Sequence, residues 1–295
     1  MQPILWVDVT LQQEEPLHIF PFSDVHLDSR DCDRDGFLAD YKRAASFPNA
    51  RFLNLGDFNN LVMPGDLKRH TASVPAKQYT AEDDYLGIAL RDMEKVIASV
   101  PEARWDLWGM GNHEHETLKR HHLDLPRLFA EGHGLNVGTY CGRLFYRIRR
   151  PGSRDARVFK VLYHHGAWGG AVIKGLGGAQ RWAAQLGSWH VMMYGHNHAE
   201  QIRKEAFWDA DDLGRQSVIN RHFLNTGTYQ KSLGRAGEPP DYAERAGHPI
   251  TTIGAPYCRV WYTREGKTKA MRLHWECISK GGVSALDVGE APPIT

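Results

Sequence analysis

The sequence predicts a layered α/β fold in which helices alternate with strands that are buried on both faces. Short apolar runs, each ending in glycine or polar residues, recur along the 295-residue chain. These runs lack a helical period, and continuous apolar runs of this length are typical of strands covered on both sides. Segments with helix signals lie between the runs, and strands that alternate with helices indicate a layered α/β architecture.

Six of the apolar runs are the predicted strands of the core. They span residues 16–26, 51–60, 104–114, 158–166, 189–198 and 221–229. A hairpin is predicted over 143–163, with its turn at Pro151-Gly152. Two further strands are predicted near the end of the chain, over 257–263 and 269–278.

Helix signals occur in two segments between these strands. In residues 80–100, Thr80 is the expected N-cap, acidic residues occupy the first turn and Pro101 lies just beyond the end. A shorter helix is predicted over 175–188. In contrast, residues 61–79 are polar and interrupted by proline and glycine, which predicts an inserted loop over one end of the sheet.

The whole chain, residues 1–295, is predicted to form a single domain. Its motif-bearing core covers about 16–232, and C-terminal strands follow at about 250–280. The tail over 281–295 consists largely of small residues and is expected to be frayed.

Composition and charge are those of an ordinary globular protein, with 42% hydrophobic residues, 24% charged residues and a net charge of +1. So small a net charge predicts no general attraction to nucleic acid or membranes. Four widely spaced cysteines without a CxxC pair favour reduced thiols and argue against a structural zinc site. Because neither a signal peptide nor an apolar run of about 18 residues is visible, a cytoplasmic protein without membrane attachment is expected. The oligomeric state is left open.

Carboxylate, imidazole and amide side chains follow five of the predicted strands. The clusters are Asp24-Val25-His26, Gly56-Asp57, Gly111-Asn112-His113-Glu114, His164-His165-Gly166 and Gly195-His196-Asn197-His198. Ligands collect at the carboxyl ends of strands in open α/β sheets, so parallel neighbours would bring these clusters to one rim. Oxygen and nitrogen donors without thiolate suit two divalent transition ions better than Ca²⁺ or a thiolate zinc site.

Each cluster taken alone has a purely structural alternative. D-x-H is a common pattern, Gly-Asp after a strand is usually a turn, and GNHE can be a helix N-cap. The histidine doublet can combine one core and one surface residue, and GHNH can be a solvated turn. Their joint occurrence, in this order and each at a strand end, favours a metal site.

The set D-x-H, G-D, G-N-H-E, H-G and G-H-x-H, spread over roughly residues 18–230, resembles the calcineurin-like metallophosphoesterases. The resemblance implies a sandwich of two mixed β-sheets flanked by helices, with a bimetal centre at one rim. It implies that one metal is held by Asp24, His26, Asp57 and His198, and the second by Asp57, Asn112, His165 and His196. His165 is preferred to His164 because the ligand histidine of the family directly precedes glycine. Two divalent transition ions are expected, Mn²⁺ first, with iron, zinc or nickel as alternatives.

The expected reaction is hydrolysis of a phosphate ester by hydroxide activated between two ions. Asp57 is assigned a catalytic part because it bridges both ions. His113 follows the ligand Asn112 and is expected to protonate the leaving oxygen or hydrogen-bond the phosphate. Glu114 is expected to support the loop that carries these residues.

Substrate contacts are predicted for Asn60, His113, Lys68 and Arg69. Protein phosphatases of the superfamily carry an aspartate three residues after the bridging one, and Asn60 stands at that position, which argues against a phosphoprotein phosphatase. The arginine-rich hairpin over 143–163 could follow a nucleic-acid backbone, although a solvated hairpin is the stronger alternative.

The predicted function is a phosphodiesterase or nuclease acting on small or single-stranded substrates. A phosphomonoesterase acting on nucleotides or other small phosphates is the alternative within the enzyme class, and a non-catalytic scaffold of the same fold is the alternative outside it. The expected partner is a phosphate ester, nucleic acid and nucleotides included. The glycine-rich stretch 164–178 resembles phosphoesterases carried by phages and prophages.

Overall fold

The computed structural model describes residues 4–63, 75–76, 79, 84–168, 175–210, 214, 216–232, 250–266 and 270–280. Its strands are β1 Ile4–Thr10, β2 Leu17–Phe22, β3 Ala50–Asn54, β4 Trp105–Trp108, β5 Cys141–Arg149, β6 Ala156–His164, β7 Val191–Tyr194, β8 Glu200–Ala210, β9 Gln216–Thr226, β10 Tyr257–Glu265 and β11 Ala270–Ile278. Its helices are α1 Arg34–Ala45, α2 Tyr85–Ala98, α3 Asn112–His121, α4 Leu125–Gly132 and α5 Leu176–Ala183.

The strands form two mixed sheets. The six-stranded sheet has the order β1-β5-β6-β7-β9-β8, in which β6, β7 and β9 run parallel. The five-stranded sheet has the order β11-β10-β2-β3-β4, in which β2, β3 and β4 run parallel and β10 is antiparallel to β2. The parallel strands therefore present several carboxyl ends on the same side of each sheet.

Apolar side chains form three layers that hold the sheets and helices together. The layer between the sheets includes Leu53, Leu107, Val161 and Met193. A second layer joins the outer face of the five-stranded sheet to α1, α2 and α4, and a third joins the outer face of the six-stranded sheet to α5. This arrangement confirms the predicted sandwich of two mixed sheets flanked by helices.

The predicted core strands are all present, and β5 and β6 form the predicted hairpin. The helix predicted over 80–100 begins later, at Tyr85, because the Asp84 carboxylate accepts a 2.9 Å hydrogen bond from Gly87 N and caps it. Thr80, the predicted N-cap, lies outside the described residues. The helix predicted over 175–188 is shorter than expected, since α5 ends at Ala183.

Several elements were not predicted, namely β1, β8, α1, α3 and α4. The omission of α3 matters most, because this helix begins at Asn112 and Gly111 is its N-cap. GNHE therefore does mark the start of a helix, as the structural alternative held. The same residues also lie at the rim. Within the described ranges, no helix has the length and apolar character needed to cross a membrane.

Candidate metal centre

The carboxyl ends of β2, β3, β4, β6 and β7 converge at one rim of the sandwich. Main-chain hydrogen bonds join the loops that follow them: Asp24 N donates to Gly56 O at 3.1 Å and His26 N donates to Asp57 O at 3.1 Å. Gly195 N donates to His165 O at 2.8 Å, which ties the loops after β6 and β7. All five sequence clusters are thereby brought together, as the sequence predicted.

Five of the predicted ligands have left-handed backbone conformations, which are uncommon for residues other than glycine. Their φ angles are 52° at Asp24, 50° at His26, 51° at Asp57, 72° at His196 and 53° at His198. Such conformations cost about 1–3 kcal/mol each and are typical of functional sites, where the surrounding structure enforces them. Five of the seven predicted metal ligands are thus among the strained positions of this rim, together with Leu61 at a φ of 46°.

Asp24, His26 and His198 form a first group of side chains that could hold a metal ion. The Nε2 atoms of His26 and His198 lie 3.3 Å apart. Asp24 Oδ1 lies 3.4 Å from His198 Nε2 and 4.0 Å from His26 Nε2. Two ring nitrogens and a carboxylate oxygen therefore face one small volume.

Asp57, His165 and His196 form a second such group. Asp57 Oδ2 lies 3.1 Å from His165 Nε2. Asn112 Oδ1 lies 2.7 Å from His196 Nδ1 and 3.1 Å from His165 Nε2. The four residues that the resemblance assigned to the second metal are therefore adjacent.

His113 and His26 flank Asp57 in a third group. His113 Nε2 lies 3.9 Å from Asp57 Oδ2, and the rings of His26 and His113 meet edge to face at 4.9 Å. Asp57 is thus the residue shared between the second and third groups, and His26 links the third group to the first. This places Asp57 centrally, where a bridging carboxylate would have to lie.

Neighbouring groups orient both carboxylates. Asp24 Oδ2 accepts hydrogen bonds from Ser23 Oγ at 2.5 Å and His196 N at 2.8 Å. Asp57 Oδ1 accepts one from His113 N at 2.9 Å. In each carboxylate the second oxygen, Asp24 Oδ1 or Asp57 Oδ2, is directed at the imidazoles, which is the arrangement expected of ligands held by supporting hydrogen bonds.

Burial and neighbouring charges determine the protonation of the site. Burial alone would raise the pKa of Asp24, but the adjacent His198 and His165 lower it to about 2. Burial also opposes ionisation of Asp57, yet His165 and His113 keep its pKa well below the usual range. Burial lowers the pKa of His26 to about 3. The carboxylates are therefore anionic at neutral pH, and His26 is the neutral ring that metal binding requires.

The donor set fits divalent transition ions. The three groups contain carboxylate and imidazole and no cysteine. Asp24 Oδ1 is buried and has no hydrogen-bond partner among the described residues, a costly state unless something else satisfies it. Without a cation, the Asn112 amide is better satisfied when turned by half a rotation, because its nitrogen then donates to His165 Nε2, His196 Nδ1 and Asp57 Oδ2, the last at 3.2 Å. An inward amide oxygen at this position would require a cation beside it.

Two sequence predictions about neighbouring residues can be compared with the geometry. His164 differs from the fully buried His165: its Nδ1 accepts a 2.8 Å hydrogen bond from Gly166 N and its ring packs on Trp168 and Trp182. His164 is thus engaged by Gly166 and two tryptophans. Asn60, a predicted substrate contact, meets the imidazole through its main chain, because His113 Nδ1 donates to the Asn60 carbonyl oxygen.

Two predicted substrate contacts fall on residues that the structure does not describe, and two supporting residues were not predicted. Lys68 and Arg69 lie outside the described residues. Ser23 and Asp28 were not predicted, although the first directly precedes the D-x-H motif. Asp28 is fully buried and accepts hydrogen bonds from Asn60 N and Tyr85 Oη, and from Leu61 N at 2.9 Å. No sequence pattern distinguishes Asp28 from an exposed loop aspartate.

Comparisons with known proteins give distant structural likenesses only. No protein-family model matches the chain, and no curated protein matches it. Vps29 from Chaetomium thermophilum is 12% identical, with a TM-score of 0.30 over 89% of this chain and 95% of its own. A metallophosphoesterase from Sphaerobacter thermophilus is 11% identical, with a TM-score of 0.33 over 89% of each chain. A conserved uncharacterised protein from Streptococcus pneumoniae TIGR4, a predicted phosphoesterase, is 14% identical, with a TM-score of 0.27 over 88% of this chain and 98% of its own.

Proposed function

We propose that this chain is a metal-dependent phosphoesterase of the calcineurin-like metallophosphoesterase type, and that phosphodiesters are its substrates. The observation that carries the proposal is the pair of metal-holding groups at one rim, Asp24-His26-His198 and Asp57-His165-His196, with Asn112 beside both histidines of the second group. A scaffold without activity would not need to maintain left-handed backbone at five donor residues.

The charge of the site favours an anionic substrate. Two divalent ions held against the carboxylates of Asp24 and Asp57, with neutral imidazoles, would leave a formal surplus of about two positive charges. When bound, such ions clamp phosphate oxygens and promote the ionisation of a water molecule. A phosphate ester is the substrate class that matches both properties.

The proton donor in this proposal is His113. Its Nδ1–H is held by the Asn60 carbonyl oxygen, which fixes the ring orientation and leaves Nε2 for proton exchange on the side of Asp57. An alkoxide leaving group needs a proton as the ester bond to phosphorus breaks, and a positioned imidazolium can supply it. His113 therefore acts on the leaving oxygen, while Asp57 and Asn112 remain with the metals.

The preference for diesters rests on the sequence. Asn60 replaces the aspartate of protein phosphatases, and the arginines that those enzymes direct at phosphate are not evident after it. A phosphomonoesterase acting on nucleotides remains the second candidate, and a phage-type member is a narrower proposal still. Much of the glycine-rich stretch that suggested the latter, residues 169–174, lies outside the described residues.

The direct test is hydrolysis of bis-p-nitrophenyl phosphate and p-nitrophenyl phosphate by metal-stripped protein, before and after addition of Mn²⁺. We expect activity only with metal, and a higher kcat/KM for the diester. Preference for the monoester would favour the second candidate. Less than one transition metal per chain together with no activity would show an inactive scaffold.

A matched pair of variants tests the ligand assignment. Asp57→Asn removes the charge shared between the groups, so we expect loss of both metals and nearly all hydrolysis, measured by elemental analysis and assay. His164→Ala alters the neighbouring ring that packs on tryptophans, so we expect unchanged metal content. Loss of metal from His164→Ala would mean that the wrong histidine of the doublet has been chosen.

A further inference from the structure

The outer face of the six-stranded sheet carries a line of basic and aromatic side chains along β5. Leu144, Tyr146 and Ile148 point into the layer between the sheets. Because side chains alternate along a strand, Arg143, Phe145, Arg147 and Arg149 occupy the opposite, outer face.

Neighbouring strands add to this line. Trp6 of β1 is directly opposite Phe145, and Lys160 of β6 is opposite Phe145 on its other side. We call this set of outward-facing side chains the basic stripe; it comprises Trp6, Arg143, Phe145, Arg147, Arg149 and Lys160. Helix α5 packs beside it, over Leu162 and Met192.

An exposed indole lies within the basic stripe. Trp6 is 45% exposed, although tryptophan is usually buried in a core. Phe145 meets its ring edge to face at 5.3 Å, and Arg147 Cζ lies 4.7 Å from the ring centroid. Lys160 Nζ lies 5.9 Å from the Phe145 centroid. The indole is thus held in place with the Arg147 guanidinium over its ring, and an aromatic base that stacks on Trp6 uses the exposed part of the indole or takes the place of this cation.

Positive charge dominates the basic stripe. It contains four cations, two of which pair with an acidic residue of β1: Asp8 lies 3.4 Å from Arg147 and 3.3 Å from Arg149. Asp8 is 59% exposed, so these pairs are weak and polyanions can compete with them. The whole chain has a net charge of only +1, so this excess is local.

The basic stripe runs toward the candidate metal centre. Cys141, at the start of β5, is paired with His164, at the end of β6 and next to His165. Arg143 follows two residues later, and Arg149 lies roughly 20 Å further along the strand at about 3.4 Å per residue. A linear polyanion lying on β5 would therefore have one end close to the rim.

We propose that the basic stripe binds single-stranded nucleic acid and presents it to the metal centre. Phosphates pair with the arginines and Lys160, and an unstacked base stacks on Trp6. The inference rests on the proposed phosphodiesterase function and makes single-stranded nucleic acid its substrate class. Base stacking on Trp6 requires exposed base faces, which a duplex buries between its base pairs.

The test is fluorescence anisotropy with labelled oligothymidylate and oligouridylate, in a chelator so that metal and hydrolysis play no part. We expect the wild-type chain to bind at least one of the two, which also shows whether DNA or RNA is preferred. The double variant Arg147→Gln/Arg149→Gln should bind more weakly, and the slope of log K against log salt should fall in magnitude by about 1.4. Trp6→Ala should weaken binding about fivefold or more.

The matched control is Arg259→Gln in the other sheet. Arg259 also stacks on a tryptophan, with its Cζ 5.2 Å from the Trp261 centroid, and also pairs with an acid, Glu276. We expect Arg259→Gln to bind oligonucleotide and to hydrolyse bis-p-nitrophenyl phosphate like the wild type, because Arg259 belongs neither to the basic stripe nor to the metal-holding groups.

Equal weakening by the control, or no binding by the wild type, would overturn the basic stripe as a nucleic-acid surface. Hydrolysis of bis-p-nitrophenyl phosphate without oligonucleotide binding would remove this inference and leave the proposed function intact. Oligonucleotide binding with no metal-dependent hydrolysis would support the binding surface and contradict the phosphodiesterase.

Discussion

Asn60 contributes its carbonyl oxygen, and not its amide side chain, to the hydrogen bond with His113 Nδ1. The backbone on both sides of this carbonyl is held in place, because Asp28 accepts hydrogen bonds from Asn60 N and Leu61 N. A neutral carbonyl orients the imidazole without adding a negative charge beside it. The change from aspartate to asparagine at position 60 is therefore compatible with a positioned proton donor.

This arrangement predicts different outcomes for two substitutions. Asn60→Ala keeps the main-chain carbonyl, so kcat for the diester should change little. His113→Gln removes the proton donor and should lower kcat by about 10²-fold or more. Steady-state kinetics with Mn²⁺ measures both. If Asn60→Ala were as damaging as His113→Gln, the amide side chain would be the active group.

Glu114 joins the loop after β3 to the first turn of α3. Its carboxyl group accepts hydrogen bonds from Asp57 N and Gly111 N, each at 2.9 Å, and from Asn59 N at 3.3 Å. The two loops touch closely, since a Cβ on Gly56 would lie 2.3 Å from Gly111 N. Glycine is required there, and its φ of 110° is a further reason. Glu114 thereby holds the Asp57 loop against Asn112, as the sequence predicted for a supporting residue.

Glu114→Ala should destabilise the metal-free protein by about 3 kcal/mol, because it leaves buried N–H groups without acceptors. Urea unfolding measures the change in the free energy of unfolding. Glu116→Ala is the matched control on the same helix: Glu116 forms surface pairs with Lys119 and Arg120, so a change within about 0.5 kcal/mol is expected. Similar losses in both variants would contradict a special role for Glu114.

The elements that carry the site could be predicted from the sequence, whereas several peripheral ones could not. All six residues of β2 are buried, and predicted ligands follow the strand. The signal for the strand and the signal for the site therefore both lie within one short segment of the sequence. In α1 the buried residues are only Phe37, Tyr41 and Ala44, a stripe too narrow to stand out in a polar segment. β1 and β8 are edge strands whose outer residues face solvent, which removes the continuous apolar run. The hydrogen bond from His113 to a main-chain carbonyl could not be predicted from the sequence, because every residue carries such a carbonyl.

Neutral histidines are part of the packing of the whole sandwich, away from the rim. His190 Nδ1 accepts a 2.8 Å hydrogen bond from Lys160 N, and its ring stacks on Phe159 at 5.1 Å. His222 Nδ1 accepts a 3.1 Å hydrogen bond from Trp275 Nε1 in the opposite sheet. A protonated imidazole cannot accept a hydrogen bond, so both contacts require the neutral ring. Burial foremost lowers the pKa of each histidine to about 4.

These histidines predict a loss of stability in acid. Their pKa of about 4 in the folded chain lies below the ordinary histidine value of 6.5, so the unfolded chain binds more protons between these pH values. Their contribution is fully present above pH 6.5 and is lost as the pH falls toward 4. Asp106 acts in the opposite sense, because burial raises its pKa to about 6, so a variant is needed to isolate the histidine contribution.

His222→Gln should therefore be less stable than the wild type at pH 7, where it loses packing, but should lose less stability between pH 6.5 and 4. Between pH 6.5 and pH 4, the free energy of unfolding of the wild type should fall by on the order of 2 kcal/mol more than that of His222→Gln. Urea unfolding of metal-free protein at several pH values measures both changes. His121→Gln, which changes an exposed histidine on α3, is the control for the histidine-to-glutamine substitution itself. Parallel curves for His222→Gln and the wild type would show that protonation of this histidine does not contribute to acid unfolding.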